Sequence, residues 1–278
     1  TEEEVYAALD LPWIPPELRE DRGEVEAAQK RELPELIEPD DIRGDLHMHS
    51  TYSDGNASIE QMALAARELG YEYICITDHS QSLTVAHGLD PERLRKQHKE
   101  IEAVNKKLKG IRILAGIEVD ILADGSLDLP DEALAQCDFV IASIHSGMQQ
   151  DEKRLTERLV KAMRNPLVHA IAHPTGRVLG GQRDAYPLDF DEVVRVAKET
   201  GTALEINAYY DRLDLDDLHA RRARDAGVKL VINTDAHAPA HLAMMRFGVA
   251  TARRGWVRKD DVVNTLPLKK LLAWLAAK

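Results

Sequence analysis

A chain of 278 residues with 44% apolar content can bury a sizeable core as one large α/β barrel or two smaller domains. Its formal charge of −12 argues against a surface that coats nucleic acid by neutralising phosphates. The only cysteines, Cys75 and Cys137, give no basis for a disulfide framework, and no apolar run approaches the ~20 residues of a membrane span. With an acidic rather than signal-like N-terminus, the chain is expected to be soluble, cytoplasmic and without a membrane partner.

Residues 1–40 are rich in glutamate and in proline (Pro12, Pro15, Pro16, Pro34, Pro39), with short helical patterns over 2–9 and 23–30. They read as an N-terminal linker or docking arm, leaving 41–278 as one barrel domain. From Asp41 onward, β-like runs over 44–47, 73–77, 112–117, 139–143, 168–172, 203–206 and 229–233 alternate with helical patterns over 58–69, 91–108, 152–164, 189–199 and 216–226. Seven βα units imply an α/β barrel. The 266–277 segment, with Leu268, Leu271, Leu272 and Leu275, reads as a packing helix.

Metal-ligand residue types recur at the strand exits: His47, His49 and Asp54 after the first run, then His79, Glu118, His145, His173, Asp235 and His237. His47 and His49 are two apart, so an extended chain turns both imidazoles to one face and Met48 to the other. Imidazoles with carboxylates suit zinc, manganese or iron(II) better than magnesium or calcium. So many ligands are too many for one ion, and two or three ions a few ångströms apart fit the set. In a parallel barrel the strand exits share one mouth, which is how ligands dispersed in sequence converge.

Three divalent ions against Asp54, Glu118 and Asp235 leave a positive pocket that attracts phosphate. Arg177 and Arg183 after His173, and Arg246, Arg253, Arg254 and Arg258 after Asp235, are cations that can flank it or lie on a solvated surface. Glu205 and Asn207 read as supporting or substrate groups, and Asp45 and Asp78, facing away from the ligands beside them, as supports. His98, His169, His219 and His241 read as structural, and His87 as a loop residue within possible reach of substrate. Tyr209 and Tyr210 are open between stacking on a base and packing a loop. No Gly-X-Ser-X-Gly elbow or Walker loop is present, so metal ions that acidify water and neutralise phosphate oxygens need no Ser or Cys nucleophile.

The motifs H-x-H-S-x-x-S-D-G, T-D-H, G-x-E, S-x-H, H-P and D-A-H, over about 41–278, resemble the polymerase and histidinol phosphatase (PHP) superfamily. Residues 6–9, 13–20, 41–47 and 173–177 further resemble the C-terminal part of bacterial family X DNA polymerases. The resemblance implies a distorted, TIM-like (β/α)7 barrel with three divalent metal ions. His47, His49 and Asp235 would bind one ion, His145 and His173 a second, with Glu118 bridging the two, and Asp54, His79 and His237 a third. His47, His49, Glu118 and Asp235 would form the catalytic core, with Arg177 or Arg212 holding the substrate phosphate. Mn²⁺ is the expected activating ion, with Zn²⁺ or Fe²⁺ also fitting.

The implied activity is a 3′→5′ exonuclease on single-stranded or gapped DNA ends in repair, with 3′-phosphatase or abasic-site cleavage as further activities. The alternatives are a small-metabolite phosphomonoesterase of the histidinol phosphatase kind and a non-catalytic domain supporting a polymerase. Tyr209-Tyr210 departs from the proline-containing turn of many relatives. Neither a paired-Asp nucleotidyltransferase motif nor helix-hairpin-helix elements are found, so the polymerase region that precedes such domains is expected to be missing and the chain to be an excised fragment.

Overall fold

The computed structural model describes residues 1–278. Runs such as Tyr73–Ile76 and Phe139–Ser143 are buried along their whole length, as strands covered on both faces must be. Seven strands form one sheet: β1 Gly44–Asp45, β2 Tyr73–Ile76, β3 Arg112–Asp120, β4 Phe139–Ser143, β5 Ala170–Ile171, β6 Ala203–Asn207 and β7 Leu230–Asn233. All are parallel and neighbour one another in sequence order. The helices are α1 Glu2–Ala8, α2 Glu24–Lys30, α3 Ile59–Glu68, α4 Pro91–Lys107, α5 Asp131–Leu134, α6 Glu152–Met163, α7 Phe190–Thr200, α8 Asp217–Asp225, α9 Met245–Arg254 and α10 Leu268–Ala276. The expected (β/α)7 barrel is the observed one.

The barrel closes without an eighth strand. A single parallel bridge joins Met48 to Ala236, and the buried Asn264 side chain spans the remaining gap. Its Nδ2 donates to Gly44 O and Ile232 O, while its Oδ1 accepts from Ile232 N at 3.0 Å. One amide thereby satisfies backbone groups on both edge strands, which would otherwise be left unpaired.

Pleating decides what lies inside. Leu46, Tyr73, Cys75, Leu114, Phe139, Ile141, Ala170, Ala172, Ala203 and Val231 form an inner apolar cluster, closed from below by Leu271 and Leu275 of α10. The alternate residues Ile74, Ile76, Ile113, Val140 and Ile171 face outward into the larger core beneath the helices. Followed upward, the inward rows run from apolar to polar: Tyr73, Cys75, Thr77, His79; Leu114, Gly116, Glu118, Asp120; Phe139, Ile141, Ser143, His145; Val231, Asn233, Asp235. Gly116 stands where the barrel has no room, since a Cβ there would come within 2.5 Å of Cys75 Sγ and 2.8 Å of Phe139 O.

β1 and β5, expected over 44–47 and 168–172, have only two residues each. In both, adjacent residues face inward, Leu46 then His47 and Ala172 then His173, which an uninterrupted pleat forbids. The pairing therefore stops early, and His173 takes φ +29°. α9, which the reading from sequence did not anticipate, corrects the reading of its arginines. Arg253 bonds Glu17 and Glu38, and Arg254 bonds Glu20, so both hold the arm rather than the strand exits. Ile14, Leu18, Ala28 and Leu36 of residues 1–40 pack with Trp256, on which Arg221 is stacked at 4.0 Å. Surface ion pairs contribute about 0–1 kcal/mol each and a buried Leu about 1.5–3 kcal/mol, so the apolar cluster carries most of this docking. No helix is long and apolar enough to cross a membrane.

Candidate metal centre

Glu118, on the inward row of β3, sits at the centre of five imidazoles. Its Oε1 is 3.1 Å from His173 Nε2 and 3.4 Å from His145 Nε2. Its Oε2 is 2.7 Å from His79 Nδ1, 3.4 Å from His47 Nε2 and 3.7 Å from His49 Nε2. Asp235 Oδ1 lies 3.0 Å from His49 Nε2 and 3.6 Å from His47 Nε2. Asp54 Oδ1 lies 3.4 Å from His237 Nε2, and its Oδ2 lies 3.7 Å from His79 Nε2. All nine expected ligands thus converge. Three sets have ligand atoms mutually within 4.8 Å: His47, His49 and Asp235; His79, Glu118 and His145; and His49, Asp54, His79 and His237.

Local backbone geometry brings them there. Asp235 is left-handed at φ +54°, a conformation that costs a non-glycine residue free energy and is retained where a side chain must be re-aimed. The loop carrying Asp54 folds back on His49 so closely that a Cβ on Gly55 would meet His49 O at 2.6 Å. Asp78 holds that loop: its buried carboxylate accepts from the backbone N–H and hydroxyl of both Ser50 and Ser53, and from Gln97 Nε2.

The cluster is incomplete as a set of hydrogen bonds. His47 Nε2, His49 Nδ1, His79 Nδ1, His173 Nδ1 and Glu118 Oε2 are buried with no hydrogen-bond partner, the His79–Glu118 approach being out of alignment. Each such atom in an ordinary core costs about 1–3 kcal/mol. Lone pairs of this kind, on imidazoles around carboxylates, are what borderline divalent cations take up. The donor set fits more than one such ion.

Buried carboxylates and amides fix the imidazoles from behind. Glu205 accepts from His47 Nδ1 at 2.8 Å, His173 N at 2.8 Å, Asn233 Nδ2 at 2.9 Å and Asn207 Nδ2 at 3.2 Å. Asn207 Nδ2 also donates to Asp235 Oδ2 at 3.1 Å. Asp120 Oδ1 lies 2.8 Å from His145 Nδ1, and Asp45 accepts from the Thr234 hydroxyl beside Asp235. Such partners set which ring nitrogen is free to bind metal. Glu205 and Asn207 are therefore supports. Sequence reasoning missed Asp120 behind His145, Asn233 behind Glu205 and Gln97 behind Asp78, although Asp120 is two residues past Glu118 on the same strand face.

The electrostatics follow from crowding. Burial pushes Glu118 and Asp235 upward, yet the surrounding imidazoles hold both well below the usual carboxylate range. Burial likewise lowers His47, but Glu205, Asp235 and Glu118 hold it well above an ordinary histidine. His49 falls to about 3, first through burial and then through His237 and His79, so the ring stays neutral and keeps one nitrogen lone pair free of a proton.

The arginines divide. Arg177 Nε donates to Arg212 O at 2.9 Å, and Arg177 also bonds Leu213 O and Asp216, so it is a brace for the 208–213 loop rather than a free phosphate ligand. Arg212 has its Nε 3.7 Å from Asp235 Oδ2 and a buried Nη1 with no partner. Arg183 donates to Gly176 O at 2.6 Å. Among the other histidines, His169 accepts from Val140 N at 3.1 Å, His219 bonds Asp216, and His98 lies 3.9 Å from Cys137 Sγ. His87 is exposed. His241, read as structural, adjoins the cluster by accepting from His237 N at 3.3 Å.

Fold and site define a (β/α)7 barrel with a histidine–carboxylate cluster at its mouth. A family model for the PHP domain matches residues 45–209. The chain is 50% identical over 275 residues, 99% of its length, to the DNA polymerase/3′-5′ exonuclease PolX of Bacillus subtilis (strain 168), and it spans 48% of that protein, about half its length. It is 31% identical over 233 residues to a probable phosphatase of Thermoanaerobacter sp. (strain X514), covering 80% of this chain and 89% of that one. In fold it is similar to the histidinol phosphate phosphatase of Lactococcus lactis subsp. lactis Il1403 complexed with zinc, L-histidinol and phosphate (TM-score 0.52, 16% identity, 76% of this chain and 93% of that one). The chain belongs to the PHP domain family.

Proposed function

We propose that this chain is a divalent-metal-dependent phosphodiesterase that removes nucleotides from DNA 3′ ends, a 3′→5′ exonuclease of DNA repair. The observation that carries this is the extent of the similarity to PolX. It runs over 99% of the chain, and so over nearly all of the docked residues 1–40, whereas the match to the Thermoanaerobacter phosphatase stops at 80%. On this reading the partners are single-stranded or gapped DNA 3′ ends and a polymerase region carried elsewhere in a longer protein.

On this reading His47, His49 and Asp235 would hold one ion, His145, His173 and Glu118 would serve a second, and Asp54, His79 and His237 would hold a third. Bound Mn²⁺, with Zn²⁺ or Fe²⁺ as alternatives, supplies water acidification and charge neutralisation on phosphate. Glu205 and Asp120 fix the rings of His47 and His145 so that their Nε2 atoms face Glu118. Arg212 offers its unpartnered Nη1 to a phosphate oxygen at the edge of the cluster. Removal of a 3′-phosphate or cleavage at an abasic site would use the same groups.

Digestion of 5′-labelled single-stranded and gapped DNA with Mn²⁺ tests the proposal. A ladder from the 3′ end that disappears in His47→Ala is the expected result. Phosphate release from histidinol phosphate with no ladder would transfer the chain to the second reading, a small-metabolite phosphomonoesterase, which the 31% identity to the Thermoanaerobacter phosphatase favours.

A further inference from the structure

Tyr210 is the most exposed aromatic side chain of the molecule, at 58%, and it does not stand alone. Its ring lies on that of Tyr209, with centroids 5.2 Å apart and planes 26° from parallel. Tyr209 in turn meets the edge of His241 at 5.3 Å and 82°. His241 is bonded to His237, whose Nε2 is 3.4 Å from Asp54. A continuous aromatic surface therefore runs from the metal-ligand cluster to solvent, with Arg212 two residues beyond Tyr210 and beside Asp235.

The loop that presents this surface is held at both ends. Asn207 Oδ1 accepts from Tyr209 N at 3.0 Å, and Tyr209 O accepts from Arg212 N at 2.9 Å and Leu213 N at 3.1 Å. Arg177 braces Arg212 O and Leu213 O, and Leu179 N donates to Asp211 O. An exposed ring set on a braced loop loses little conformational freedom on contact, which is what a binding platform requires. If the pair merely packed the loop, it would bury its outer face, and Tyr210 does not.

We infer that the Tyr209–Tyr210 pair is the platform on which the unpaired base next to the scissile 3′ linkage stacks, while Arg212 takes the phosphate. This deepens the exonuclease reading and rests on it. A base offers a π-face whatever its identity, so the platform selects nucleotide ends over small phosphate esters without selecting sequence.

The test compares wild type, Tyr210→Ala and Tyr210→Phe on oligonucleotides ending in adenosine or in an abasic nucleotide, with Mn²⁺. The expected result is a KM for the adenosine end raised about tenfold in Tyr210→Ala, the size of one base–aromatic stack. The effect should fall on KM rather than kcat, be recovered by Tyr210→Phe, and largely vanish on the abasic end. A 3′-terminal 2-aminopurine oligonucleotide with a phosphorothioate last linkage gives a second readout. Its fluorescence should be quenched by wild type and Tyr210→Phe, and not by Tyr210→Ala. DNA cleavage by wild type with equal KM for all three proteins and no difference in quenching overturns the platform. Absence of any DNA cleavage by wild type overturns the nuclease reading instead, and the 2-aminopurine signal then still decides whether the tyrosines stack a base.

Discussion

The floor and the mouth of this barrel are built by the same strands and obey opposite rules. At the floor, Leu114, Phe139 and Val231 interlock with Leu271 and Leu275, and the one hydroxyl of that cluster, on Tyr73, is satisfied by Leu266 O at 2.9 Å. Four to six residues higher on the same inward rows stand Glu118, His145 and Asp235, with five buried polar atoms nearby left unpartnered. Satisfied packing below tolerates unsatisfied chemistry above, so stability and function are separable by height along a strand.

Breaking the floor should have the largest effect on stability. Phe139→Ala is expected to cost about 3–5 kcal/mol in denaturant unfolding, the cost of a large cavity in a close-packed core. Metal content per folded molecule should stay at the wild-type value, because no ligand is carried by Phe139. A smaller effect comes from the layer between. Glu205→Gln keeps an acceptor for His47 but lacks the charge, and should lower metal affinity and cleavage about 10- to 100-fold with little change in unfolding. A titration of Mn²⁺ against both proteins reads this directly.

At the bottom of the barrel, beside Phe139 and Trp274, the buried His169 is held near 4, through burial and then the charge of Lys278, against about 6.5 in an unfolded chain. Its folded value is depressed, so its contribution is complete above about pH 6.5 and is lost as pH falls toward 4. In EDTA-treated protein, wild type should lose about 2 kcal/mol between pH 6.5 and 4.5 that His169→Gln, whose amide oxygen can still accept from Val140 N, retains. The smallest effect is expected at the arm. Glu17→Ala, which removes one partner of Arg253, should shift unfolding by less than about 1 kcal/mol.

The ligand set was readable because period-two alternation and His-X-His spacing are local properties, and the inward rows carry them intact along β2, β3, β4 and β7. The lengths of β1 and β5 were not readable, because the shift that turns both Leu46 and His47 inward depends on which neighbours each must meet. The same holds for the arginines: nothing in the local sequence of Arg253 or Arg177 distinguishes a cation facing phosphate from one spent on Glu17 or on the carbonyls of a loop. Glu205 looked like a support or a substrate group, and only its four donors decide between the two.

The most direct measurement is metal content. Protein loaded with Mn²⁺ and freed of excess ion should carry two to three ions per chain by elemental analysis, and Glu118→Ala, which lacks the carboxylate at the centre of the imidazoles, should carry at least one fewer while remaining folded. Wild type that binds no ion or one, or Glu118→Ala that binds as many as wild type, would contradict the multinuclear centre on which the proposed chemistry rests.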